Sequence, residues 1–272
     1  MLTAHADCYN SKDTPAAPSR AEEGSIDAMI IISDGEGVQS NTLKAMVAFG
    51  DLPHVDAAIH SDTTHERTQT YAYRAKWLPF WEEHDIRCVT VSDPNATAQI
   101  WQGKMIPAFT KTGQALRTCT QRWKIAPMRR WMQANRRRKP VELWLGISTD
   151  EWMRAKPSNV KYITHRFPLL EKKMSRADCI KYLEAHGIEV PVKSSCVFCP
   201  FHNKAAWKEL YQTGNGDWQK AVAVDEAIRK ARPPYDLFVH SSRKPLAQIA
   251  DAIDAQPEFD LESEECEGVC FL

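Results

Sequence analysis

The sequence predicts an α/β protein built on a doubly wound parallel sheet. Three observations carry this. Short apolar runs, each followed by a stretch with helical spacing, alternate through the first half of the chain. The runs are continuous rather than alternating, as strands covered on both faces require. The order strand–helix–strand–helix–strand is that of parallel crossover units.

The elements follow in order. Residues 1–25 are small, polar and Pro-containing, and are expected to form a mobile arm in which Cys8 is idle. Residues 27–33 (Asp-Ala-Met-Ile-Ile-Ile-Ser) read as the first strand, followed by a Gly-rich turn and a helix over 40–49 with Leu43, Met46 and Val47 on one face. A second strand is expected over 55–61, a helix over 66–83 and a third strand over 86–91. Residues 92–118 read as a long loop with local structure, 121–137 as a helix ending in a basic run, and 141–146 as a fourth strand. The second half changes character. A helix over 175–186 is capped by Ser175 and stopped by Gly187, a tight turn follows at 193–200, and helices are expected over 202–213 and 217–231. The tail from 261 is acidic. The expected organisation is an arm (1–25), a nucleotide-binding α/β domain (26–155), a helical cysteine-rich part (156–260) and a cysteine-containing tail (261–272).

Composition narrows the class. The 272 residues are 43% apolar and 26% charged, an ordinary globular balance. Lys+Arg and Asp+Glu are 35 each, which argues against polyanion binding over the whole surface but allows a local basic patch. No apolar run approaches the ~18 residues of a membrane span, and no secretory signal is visible. Eight cysteines without such a signal point to a reducing, cytoplasmic compartment, where thiols serve as metal ligands or catalysts more often than as disulfides.

Five segments carry candidate chemistry. Ser33-Asp-Gly-Glu-Gly-Val-Gln-Ser40 joins a strand to a helix. Backbone N–H groups at Gly35 and Gly37, hydroxyls of Ser33 and Ser40, and the helix N-terminus would cradle a phosphate; the alternative is a tight turn without a ligand. Asp34 and Glu36 would repel phosphate unless magnesium, Arg or Lys compensates. Asp62, Thr63 and Glu66 fall beyond the carboxyl end of the second strand, where open sheets bind ligands, and would either meet a ribose, a metal or a nucleophile or cap the next helix. Cys196-Val-Phe-Cys199 is a two-ligand turn. With Cys119 and Cys179 it would make a four-cysteine site, better suited to an iron–sulfur cluster than to zinc, since the ligands come from separate elements. A redox pair is the rival function, and Cys179 can equally be a buried apolar thiol beside Ile180 and Leu183. Lys124, Arg129, Arg130, the 136–139 run and two interleaved tryptophans would bind phosphates of a nucleotide or nucleic acid, or form a solvated face. Cys266 and Cys270 lie on the tail, where a terminal thiol can attack a sulfur atom and leave with it.

These pieces, in this order, resemble the phosphoadenosine phosphosulfate (PAPS) reductase-like branch of the PP-loop ATP pyrophosphatases, the adenine nucleotide alpha hydrolase-like superfamily. The resemblance spans residues 27–270. Ser33–Ser40 is similar to the PP-loop, residues 61–66 to an Asp-Thr-Gly-x-x-Glu block, and residues 145–154 to a Gly-containing strand followed by a substrate-contacting Arg. Cys119-Thr-Gln-Arg-Trp-Lys-Ile-Ala-Pro127, followed 77 residues later by Cys196, is similar to the 4Fe–4S adenylylsulfate reductases, with Thr120 where their second cysteine stands and Cys179 as the natural fourth ligand. Glu265-Cys266 is similar to their catalytic tail.

The resemblance implies an enzyme that binds ATP with Mg²⁺, adenylates an acceptor with release of pyrophosphate, and inserts sulfur. The acceptor would be a nucleic acid, as in DNA phosphorothioation or tRNA thiolation, and the sulfur would come from a cysteine desulfurase or another persulfide donor. Ser33, Gly35, Gly37 and Ser40 would hold phosphates, and Asp62 would hold magnesium or ribose. Thr63, Gly146 and Arg154 would complete the nucleotide site. Lys124, Arg129 and Arg130 would contact phosphates, Cys119, Cys179, Cys196 and Cys199 would hold the cluster, and Cys266 would relay sulfur with Cys270 as its resolving partner. A homodimer is among the expected assemblies. The alternatives are a sulfonucleotide reductase producing sulfite, with Cys266 as nucleophile and thioredoxin or glutathione as reductant, and a non-catalytic iron–sulfur or zinc interaction module.

Overall fold

The computed structural model describes residues 28–255 apart from Leu116. The arm and the tail, with Cys8, Cys266 and Cys270, lie outside the described residues. Five strands, β1 (Met29–Asp34), β2 (Ala57–Asp62), β3 (Cys88–Ser92), β4 (Val141–Leu145) and β5 (Ile163–Arg166), form one sheet in the order β3-β2-β1-β4-β5. Every pairing is parallel. The order reverses at β1, so the crevice beyond the carboxyl ends of β1 and β4 is the topological switch point.

Strand alternation explains why both faces are covered. Met29 and Ile31 of β1 face one way and pack with Val141, Leu143, Met128 and Met132; the last two belong to α4 (Ala126–Asn135). Ile32 faces the other way, into a core with α1 (Val38–Ala48), α2 (Thr68–Glu83) and α6 (Arg176–Ala185). α6 begins with a capping box in which Ser175 and Asp178 satisfy each other's backbone N–H groups, and Gly187 beyond it takes φ +69°. A third core joins α3 (Ala96–Trp101) to α7 (Lys204–Gln212) and α8 (Asp217–Ile228), with Trp123, Val197 and Phe198 between them.

One feature differs from the sequence expectation. β5, Ile-Thr-His-Arg, is a short edge strand with polar residues and gives no apolar run. α3 is local structure within the stretch 92–118. β5 extends the sheet and α6 packs on α1. The second half also grips the first. Asp217 of α8 accepts the backbone N–H of Thr68 at 2.7 Å and its hydroxyl at 2.6 Å, capping α2 from outside, while Arg67 is held by Glu209 at 2.6 Å. No helix among the described residues is long and apolar enough to cross a membrane.

Candidate nucleotide site

Ser33, the next-to-last residue of β1, pairs with Ile59 of β2 and Leu145 of β4. The turn therefore starts at the centre of the sheet. Gly37 is the N-cap residue of α1 and has no side chain to cap it, leaving the first helical N–H groups without an internal acceptor. Ser40 is buried, and its hydroxyl donates back to the Gly37 carbonyl at 3.2 Å, as does Asn41 Nδ2 at 2.9 Å. Gly146 follows β4 and is required by close approach: a Cβ there would lie 3.0 Å from the Gln39 carbonyl carbon and 3.0 Å from the Ser40 nitrogen.

The acidic residues of this turn are compensated from within. Asp34 accepts the Glu36 N–H at 2.9 Å and Lys44 Nζ at 2.7 Å. Lys44 also reaches Glu36 at 3.3 Å, and Arg74 holds the other Glu36 oxygen at 2.8 Å. Burial opposes charge on Asp34, but Lys44 and then His60 outweigh it, so its carboxyl lies well below the usual range. Burial and the Asp34 charge push the Glu36 carboxyl up. Lys44 is raised to about 12 because Asp34 and Glu36 overcome its burial. Two carboxylates thus face two cations, and Glu36 sits at φ +54°, the left-handed geometry that turns the chain into α1.

A cavity of about 370 Å³ opens beside this turn, within the range of small-ligand sites. Ser33, Asp34 and Gly35 line it from the turn, and Met128, Met132, Leu143, Leu145 and Ile163 make its apolar wall. Lys124, Arg129, Lys156, Asn159, His60 and His165 supply polar groups. His60 Nδ1 donates to the Asp34 carbonyl at 3.2 Å, which fixes its tautomer. Sequence reasoning missed His60, Lys156, Asn159 and His165. They stand on different elements, and no spacing connects them.

The remaining expected residues are placed as follows. Asp62 is engaged rather than open: it accepts the Thr64 N–H and the Tyr71 hydroxyl, each at 2.7 Å. Thr63 is buried and donates to Glu66 at 3.1 Å. Its oxygen lies 3.1 Å from Cys196 Sγ, so the thiol is left as donor. Glu66 in turn pairs with Lys124 at 3.3 Å, while its second carboxylate oxygen is buried without a partner. Arg154 pairs with Glu151 and does not line the cavity. Arg130 is largely exposed, 3.8 Å from Asp93.

The cysteines separate. Cys119 and Cys196 pack against the core of α3, α7 and α8. The Cys196–Cys199 turn is closed by the Cys199 N–H on the Cys196 carbonyl at 3.0 Å. Burial, followed by the Glu66 charge, pushes the Cys196 thiol up. Cys179 is instead wholly buried in the α1–α6 core, with its thiol raised to about 11 by burial. Its helix face is the apolar face that α6 buries, apart from the core that Cys119 and Cys196 pack against. Among the described residues no group of three or more histidine, cysteine, aspartate or glutamate side chains is placed to hold a metal ion. They do not fit a closed four-cysteine cluster.

No family model and no curated protein matches the chain. Among solved structures it is similar to the crystal structure of phosphoadenylyl-sulfate (PAPS) reductase from Candida auris in its phosphate complex. The identity is 13% and the TM-score 0.44, over 60% of this chain and 75% of that one. The doubly wound α/β fold itself follows from this chain's strand order and the helices on both faces of its sheet.

Proposed function

We propose that the chain is a PP-loop-type enzyme that binds ATP with Mg²⁺, adenylates a nucleic-acid acceptor and prepares it for sulfur insertion. The observation that carries this is the cavity: an apolar wall for a base, a glycine-containing turn for phosphates, and Lys124, Arg129 and Lys156 around them. In the reaction an acceptor oxygen bonds to the α-phosphorus as the bond to pyrophosphate breaks. AMP then becomes the leaving group as the outer sulfur of a persulfide bonds to the acceptor, and a second thiol takes the donor cysteine off that sulfur as a disulfide. The protein's share is positioning and charge stabilisation. The turn offers N–H donors without adding net negative charge, since Lys44 and Arg74 hold its carboxylates, and Lys124 and Arg129 offset charge on the departing pyrophosphate.

Calorimetric titration with ATP–Mg²⁺, adenylylsulfate and phosphoadenylylsulfate tests this. ATP is expected to bind best, and Lys124→Ala or Arg129→Ala to weaken it roughly 10- to 100-fold, the loss of one charge-assisted hydrogen bond. A sulfonucleotide preferred by tenfold or more would replace this reading with reductase chemistry, and binding of none of the three would remove nucleotide chemistry altogether.

A further inference from the structure

The cavity has two chemically different ends, and strand register places them. Ser33, where the turn begins, is level with Leu145 of β4. His165 of β5 is level with Leu143, and Ile163 with Val141. Residues in register on parallel strands share a face. Val141, Leu143 and Ile163 all pack in the core beneath α4, so His165 stands on the face that carries the cavity, which it lines. It lies two strands across from Ser33 and two residues toward the amino ends of the strands. The two Cα atoms are therefore about 12 Å apart, at ~3.3 Å per residue and ~4.8 Å per strand. The other histidine of the lining, His60, borders the turn end instead, where it holds the Asp34 carbonyl.

The wall around His165 is Met132, Leu143 and Ile163, and none of these side chains can hydrogen-bond. A base edge buried there needs a partner for each polar atom it withdraws from water. His165 is prepared to be one. Its Nδ1 lies 2.9 Å from the Lys156 carbonyl, which can only accept, so the ring proton is on Nδ1. The same bond ties residues 156–159, which border the cavity, to β5 and fixes the ring. Nε2 makes no hydrogen bond among the described residues, and in the neutral ring it can only accept.

We propose that His165 is the residue that selects the base: its Nε2 accepts a hydrogen bond from the 6-amino group of an adenine seated on Met132, Leu143 and Ile163. A nucleotide whose phosphates lie at the turn extends across the two strands and brings its base to this end. A 6-oxopurine would set its oxygen, a second acceptor, against the same lone pair and leave both unpaired, which is how a site built around one hydrogen bond rejects a near-isostere. The inference rests on the proposed nucleotide site and deepens it by naming the group that tells adenine from a 6-oxopurine.

Calorimetric titration of the full chain with the Mg²⁺ complexes of ATP and inosine triphosphate (ITP) tests it, since the two differ only at the 6-amino edge of the base. ITP should bind roughly 5- to 150-fold more weakly than ATP, the cost of one buried polar group left unpaired. His165→Asn keeps an N–H for the Lys156 carbonyl and has no atom at the Nε2 position, so it should bind ATP and ITP alike. His165→Gln brings an amide oxygen to that position and should restore the preference for ATP. A histidine that only held the loop would change both affinities together and leave their ratio untouched. Equal binding of ATP and ITP by the wild-type chain, a preference for ITP, or an unchanged ratio in His165→Asn overturns this inference alone; binding of neither nucleotide overturns the nucleotide reading and this inference with it.

Discussion

Replacing Lys44 by Met tests whether the turn from Ser33 to Ser40 is built on a buried charge cluster. Methionine keeps the length of the side chain and removes only the cation. Lys44, Asp34 and Glu36 have side-chain exposures of 1%, 1% and 2%, so the value for a buried pair applies rather than that for a surface pair. Deleting one partner of such a pair costs about 3–5 kcal/mol, because the other charge stays buried. The contact of Lys44 with the Trp81 ring, 5.1 Å to its centroid, is lost as well. In a chain of this size the melting temperature should fall by about 6–20 °C, at ~2–4 °C per kcal/mol. The pH dependence has a definite sign. The Asp34 carboxyl is depressed in the fold, so its contribution is complete above its unfolded value of 3.8 and is lost as pH falls through the lower folded value. In Lys44→Met both carboxylates are left in a buried site, and acid relieves them. The deficit of the variant should therefore be largest near neutral pH and shrink toward acid. At the alkaline end the Lys44 contribution is complete below its unfolded 10.5 and fades as pH rises through about 12. Urea unfolding at several pH values measures this. A deficit under ~1 kcal/mol, or one that does not change between neutral and acid pH, would refute the cluster as the support of the turn.

Two further outcomes are expected. Gly146→Ala places a methyl group 3.0 Å from backbone atoms of Gln39 and Ser40; stability should drop by about 1–3 kcal/mol and ATP binding should weaken with it, while an unchanged melting temperature would show that β4 and α1 part freely. Cys179→Ala should cost only about 0.5–1.5 kcal/mol, as for loss of one buried heavy atom, and leave metal content per chain at the wild-type level by elemental analysis. A fall in iron or zinc would return Cys179 to the ligand set.

The central fold was legible because its strands are unambiguous: the apolar residues 29–32 and 143–145 can only be buried on both faces, and Ser175 and Gly187 bracket α6 by local chemistry alone. β5 was not, since an edge strand with one buried residue leaves no pattern. Within the site, the turn from Ser33 to Ser40 could be read because its residues are contiguous. The compensation of Asp34 and Glu36 could be posed but not answered, since Lys44 and Arg74 meet them only through the packing of two helices. Cys179 shows the limit from the other side. Its two readings, ligand and core thiol, use the same letters, and only the direction in which α6 turns decides between them.

The cap on α2 bears on how the chain reaches this state. The first turn of α2, which leads out of the loop between Asp62 and Arg67, is completed by a carboxylate 149 positions downstream. Loop closure over such a span must come before the contact repays it. During synthesis, at roughly 5–20 residues per second, β1, β2 and β3 emerge long before α8. The N-terminal half therefore emerges with Thr68 uncapped and with Arg67 held by Gln69 but not yet by Glu209.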